Sequence, residues 1–412
     1  MNMNQIGNSS PVFFSKPHRV MFFTGSFQIM AVILFWLSEL IGRYTDLWPP
    51  LDITVSSTWA HTFFMVYGVF IFFIFGFLMT TYPRWLNTQD IPSKHYLPCF
   101  FLMSAAIVLI YSGLFISRPL LLSGLAVFTC GWAFGLFALL NVYFHPGKKP
   151  SSYETILSVV MSFGLMCCAC NLFWLLTYKQ WLFQILFTGG IWLFLLPVLI
   201  TVCYRMIPFF SGAVLENYVM HRPNWSLPLI IVCLCGHACI ELIGEIQWSF
   251  LFDFPLAITA LYLSYRWGFL RSFKVPLLTV LHVGFLWLSI AMLLYGMQSL
   301  ALFISGKYIL GRAPLHAIGI GFVSSMMLAM ATRVSLGHSG RALMASKIVL
   351  ACFCLLQLAA VSRIVSEIPQ LFQIWTNHLN LAAAIIWLLS FGIWVSIFMP
   401  IYIKSRIDGN PG

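Results

Sequence analysis

A chain of 412 residues that is 60% hydrophobic, only 8% charged and +0.91 in mean hydropathy is not a soluble globular protein. Its formal charge of +11 is no nucleic-acid footprint, because most of the cations fall in short loops on one side of the apolar runs. Its 11 cysteines lie in or beside those runs without C-x-x-C-H spacing, which excludes covalent c-type haem.

In chain order, Met1 to Arg19 is polar and carries no cleavable signal. About twelve transmembrane helices are then predicted, at 20–41, 57–82, 96–116, 119–141, 153–176, 182–204, 226–243, 246–265, 276–303, 313–332, 344–362 and 380–402. With the N-terminus inside, 16 of the 22 Lys and Arg fall on one side, Lys16, Lys148, Arg205 and Arg333 among them. Arg43, Arg118, Lys179, Lys307, Arg312 and Arg363 fall on the other, which predicts that both termini are cytoplasmic. No loop is long enough for a separate domain, and no internal repeat supports a repeat-built transporter. The predicted fold is all-α: one polytopic helical membrane domain over 1–412, with a cytoplasmic segment at 1–19 and a cytoplasmic tail at 403–412.

Ionisable groups inside such spans are expensive and usually functional. Glu39 lies near the outer end of the first span, and Glu241 and Glu245 flank the turn between the seventh and eighth. Asp253, in F-D-F-P, is either a proton-path residue or a helix breaker before Pro255. Cys167, Cys168 and Cys170 read as small buried residues, and the tryptophans near the span ends as interfacial belt residues.

Histidines are more informative, since neutral imidazole is a common ligand for haem iron and copper. His61 in the second span and His316 in the tenth lie at similar outer depth, where both could grip one haem iron. His282 and His338 form a second candidate metal pair on the cytoplasmic side. His316 and His338 are 22 residues apart, about 33 Å along a helix, and cannot share a metal. Ala317, Gly319, Gly321, Ser324 and Ser325 keep part of the tenth span small, so that a helix or a flat cofactor can approach. Met326, Met327 and Met330 read as core filler before they read as soft ligands. Arg205, Arg312 and Arg333 are candidate partners for the carboxylates of a bound tetrapyrrole, with membrane anchoring as the simpler alternative.

H-A-I-G-I-G-F-V-S-S-M-M-L-A-M-A-T-R-V-S-L-G-H-S-G-R, from His316 to Arg341, resembles the C-terminal signature of the NnrS family. H-V-G-F-L-W-L at His282, R-M-I-P-F-F at Arg205 and G-F-L-M-T-T-Y-P-R-W at Gly76 resemble that family too, so the likeness spans most of the chain. The resemblance implies a bacterial inner-membrane protein that binds haem and copper and takes part in nitric oxide resistance or metabolism. One motif departs. Where the family's second span opens W-H-A-H-E, this chain has His61 at the first histidine, and Phe63 and Phe64 replace the second histidine and the glutamate. That puts copper in doubt.

The leading expectation is a haem b protein with His61 and His316 as axial ligands, which binds or reduces nitric oxide. If it is an enzyme, electrons come from quinol or a redox protein, because no flavin, nicotinamide or iron–sulfur motif is visible. A non-catalytic haem, copper or nitric oxide sink or sensor is the alternative, and a twelve-helix secondary transporter the third.

Overall fold

The protein is described by a computed structural model over residues 12–145, 149–368 and 373–409; Lys148 and the two chain ends lie outside these residues. All regular structure among the described residues is helical. We number the main helices α1 Pro17–Tyr44, α2 Ser57–Trp85, α3 Ser93–Phe115, α4 Arg118–Tyr143, α5 Ser152–Thr177 and α6 Gln180–Val214. They continue as α7 Ser226–Leu242, α8 Ile246–Arg266, α9 Pro276–Ser305, α10 Ala313–His338, α11 Lys347–Val365 and α12 Thr376–Ile403. Eleven are long and apolar enough to cross a bilayer; α7 is apolar but has 17 residues, the lower limit for a span. The chain is thus a multi-pass helical membrane protein.

Local chemistry explains where the helices begin. Proline opens α1, α4, α9 and α10 within their first two positions, where a missing N–H costs nothing. Ser151 and Glu154 form a reciprocal capping box at α5, and Ser56 and Ser346 accept from backbone N–H groups at the starts of α2 and α11. Two expected ends move. Helix α6 runs on to Val214, through Pro208, and α10 continues to His338, so that His338 closes the helix instead of following it.

Burial sorts the helices into an inner set and a lipid-facing set. The apolar windows of α2, α6 and α10 are 89%, 72% and 72% buried, against 33% for α11 and 39% for α8 and α12. The same three inner helices each contain a widened π-type segment: Phe64–Gly68, Ile185–Leu195 and Ala317–Ser324. Such segments are rare and cluster at functional sites. Glycine lets the inner helices close. At Gly190 of α6 a methyl group would run into the Tyr67 hydroxyl of α2, which donates to the Leu186 carbonyl. Gly321 of α10 makes room for Trp287 of α9, whose Nε1 donates to Gln357 Oε1 at 2.5 Å. Met326, Met327 and Met330 border an apolar slot between α2, α6 and α10.

The start of α1 meets the end of α12 at one end of the bundle. The Arg19 guanidinium, at the start of α1, donates to the Tyr402 and Lys404 carbonyls at 3.1 and 2.7 Å. Beside it, Lys16 pairs with Asp90 of the α2–α3 loop at 2.8 Å.

Candidate functional site

At the other end, six helices surround a cavity of about 590 Å³. Trp36 of α1, His61 of α2, Ile191 of α6, His316 of α10, Arg363 of α11 and Trp387 of α12 all line it. All three widened segments reach this space, through Met65 and Val66, through Ile191 and Leu195, and through Ile318, Gly319, Ile320 and Val323. An α-helix places every third or fourth residue on one face, and Thr58, His61, Thr62 and Met65 follow that spacing.

The two imidazoles are held differently. His61 stacks on the Trp36 indole, with centroids 4.0 Å apart and planes 15° from parallel. Its Nδ1 is buried and has no hydrogen-bond partner among the described residues. An orphaned buried nitrogen costs about 1–3 kcal/mol, which a bound group would recover. The His316 Nδ1 lies 2.9 Å from the Arg312 carbonyl. A carbonyl only accepts, so Nδ1 carries the proton and Nε2 is left with its lone pair. This is the backbone restraint that orients histidine ligands.

Arg43, Arg312 and Arg363 line the cavity. Arg363 is tied to Glu367 Oε1 at 2.5 Å and to Ser366 Oγ at 2.8 Å. Arg43 is tied to Glu39 Oε1 at 2.6 Å and to Ser57 Oγ at 2.7 Å. The Arg312 backbone N–H donates to Glu367 Oε2 at 2.9 Å, while its guanidinium has no ion-pair partner among the described residues. Tyr308, in the loop before α10, also lines the cavity; burial pushes its hydroxyl up, so it stays a donor at neutral pH.

The structure separates the remaining site residues expected from sequence. Arg205 does not line this cavity: it pairs with buried Glu154 and lies 4.1 Å over the Trp85 ring. Arg333 lies 3.8 Å over Phe210, seventeen residues or about 25 Å along α10 from His316. His282 and His338 keep separate company. His282 Nε2 lies 3.0 Å from Ser211 Oγ in a fully buried contact, whereas the His338 ring packs 4.5 Å from that of His18. Among the described residues no group of three or more His, Cys, Asp or Glu has the grouping of a metal site.

Phe63 and Phe64 turn away from the cavity. Phe63 stacks on Trp59 at 5.4 Å and Phe64 on Tyr111 at 4.5 Å. Sequence reasoning missed Trp36, Arg43 and Arg363. The charge count had placed both arginines on the outer side with Arg312, but nothing in the sequence shows which of them face one space.

The donor set fits haem. Two imidazoles from separate helices open into one mainly apolar cavity, within the ~300–1,000 Å³ common for ligand and cofactor sites. Three arginines line it, and tetrapyrrole carboxylates would need such cations. No curated protein matches the chain. The family model described as NnrS protein matches residues 12–406, nearly the whole length, and the chain belongs to the NnrS family.

Proposed function

We propose that this NnrS-family protein binds haem b in the cavity between His61 and His316 and acts on nitric oxide there. The observation that carries this is the joint opening of two ligand-type imidazoles into a cofactor-sized cavity also lined by arginines. Haem supplies an iron centre that binds nitric oxide or passes electrons to it. The chain does the rest. The Arg312 carbonyl fixes the His316 tautomer, and Trp36 holds the His61 ring flat against α1. Arg312, Arg43 and Arg363 offer cations to anionic carboxylates, and the apolar walls exclude water. If the reaction is reductive, quinol or a redox protein supplies the electrons. We place the protein in a bacterial inner membrane, as its family resemblance implies. We assign copper to no residues: His282 and His338 have separate partners, and Phe63 and Phe64 are aromatic packing where the family motif has a histidine and a glutamate.

The visible spectrum of detergent-purified protein from haem-replete cells tests this. A Soret band that shifts with nitric oxide is expected, and it should be lost or displaced in His316→Ala and His61→Ala. A colourless protein sinks the haem assignment and favours transport. Catalytic consumption of nitric oxide with a reductant marks an enzyme; stoichiometric consumption marks a sink or sensor.

A further inference from the structure

Outside the cavity, one ionisable cluster lies within the spans and has no part in the site above. His237 of α7 is buried, with a carboxylate at each ring nitrogen. Nδ1 lies 2.5 Å from Asp253 Oδ1 of α8, and Nε2 lies 3.7 Å from Glu241 Oε2, one turn along α7. The two carboxylates differ. The Asp253 side chain has no exposure, whereas that of Glu241 is 40% exposed at the helix end. Ser249 donates to Asp253 Oδ2 at 2.9 Å; Glu241 Oε2 has no hydrogen bond among the described residues.

We propose that Glu241, His237 and Asp253 form a proton-exchange port on the α7–α8 face, opening at Glu241 and ending at Asp253. A metal ion does not fit this arrangement, because the two carboxylates address opposite nitrogens of one ring. A relay does fit. Glu241 takes a proton from hydronium at the surface, releasing water, and passes it to Nε2 while Nδ1 gives its own to Asp253. One N–H forms, one N–H breaks and one O–H forms, with a net gain of one proton. A purely structural staple is a poor account of the cluster, since buried ion pairs seldom outperform apolar packing and charges within a membrane are dearer still.

The port backs onto the cavity wall. Trp192 of α6 covers the His237 ring at 3.6 Å, and its chain neighbour Ile191 lines the cavity. The other titratable groups around the cluster are Tyr295 of α9, whose ring is 5.2 Å from that of His237, Cys233 of α7 beside Asp253, and Tyr308, which interacts with both Tyr295 and Glu241. The port is thus a proton source beside the cavity, whatever occupies that cavity.

Infrared difference spectra of the full-length protein in proteoliposomes test this between about pH 4 and pH 9, a window that spans carboxylate and histidine titration. A protonated-carboxyl band that grows as pH falls is expected, absent in Asp253→Asn. Its deuterium exchange should slow roughly 10²-fold in Glu241→Gln, the low end of what a positioned proton-transfer group contributes. Should Asp253→Asn fail to fold, Ser249→Ala keeps the carboxyl and should shift the band through the lost hydrogen bond. A band that ignores pH, or one that exchanges equally fast in Glu241→Gln, overturns the proposal. The measurement needs no haem, so failure of the haem assignment leaves it interpretable.

Discussion

The arginines divide by what surrounds them. Arg312 lines the cavity without an ion-pair partner among the described residues, whereas Arg205 is committed to Glu154, whose side chain is 2% exposed. Their alanine variants should therefore fail in different ways. Arg312→Ala should weaken haem retention by about 1.5–3 kcal/mol, the range for a hydrogen bond to a charged group, and should leave thermal stability nearly unchanged. Transfer of haem to an acceptor protein would measure the first, and a melting curve the second. Arg205→Ala should leave the Soret band alone and cost about 3–5 kcal/mol of stability, because it strands a buried carboxylate.

Among the helices, the widened segments set the geometry of the cavity. Deleting one residue within Ala317–Ser324 would let α10 close into a regular helix and turn His316 by about 100° against the rest of the helix. The variant should insert and melt cooperatively, yet lose the haem band. Gly190→Val tests the close approach of α2 and α6. The added side chain meets the Tyr67 hydroxyl, and overpacking of this kind costs about 1–3 kcal/mol. Much of this architecture was legible in the sequence, because hydrophobic run length reports spans directly. All twelve predicted segments appear as helices, most of them within a few residues of the expected ends; eleven are long and apolar enough to cross a bilayer. The shared cavity of His61 and His316 was anticipated from depth alone. The proposed partnership of His282 with His338 was not a matter depth could decide: side chains at one level of a bundle can face different neighbours, as these two do toward Ser211 and His18. The widened segments left no mark in the hydrophobic pattern, since α2, α6 and α10 are apolar on nearly every side there.

At the scale of the whole molecule, the first and last helices are tied together beside a surface ion pair that responds to pH. The Lys16 ammonium donates to Asp90 and holds its carboxyl below the usual range, although burial acts the other way. The folded-state value lies below the unfolded one, near 3.9, so the contribution is present at neutral pH and fades as pH falls through the folded value. Both side chains are partly exposed, which limits the effect to about 0.2–1 kcal/mol. Melting temperatures of the natural protein and Asp90→Asn should differ slightly at neutral pH and converge in acid.

The cavity draws Trp36 from the first main helix and Trp387 from the last. Its wall is therefore unfinished until the final segment has left the ribosome and entered the lipid. A pocket of this kind cannot be loaded during synthesis. Cofactor capture would be the closing event of biogenesis, and a chain stopped before α12 would be an inserted protein with nothing to hold. Once seated, a ligand would bind α1 and α12 at once, so its occupancy would report that both helices were in place.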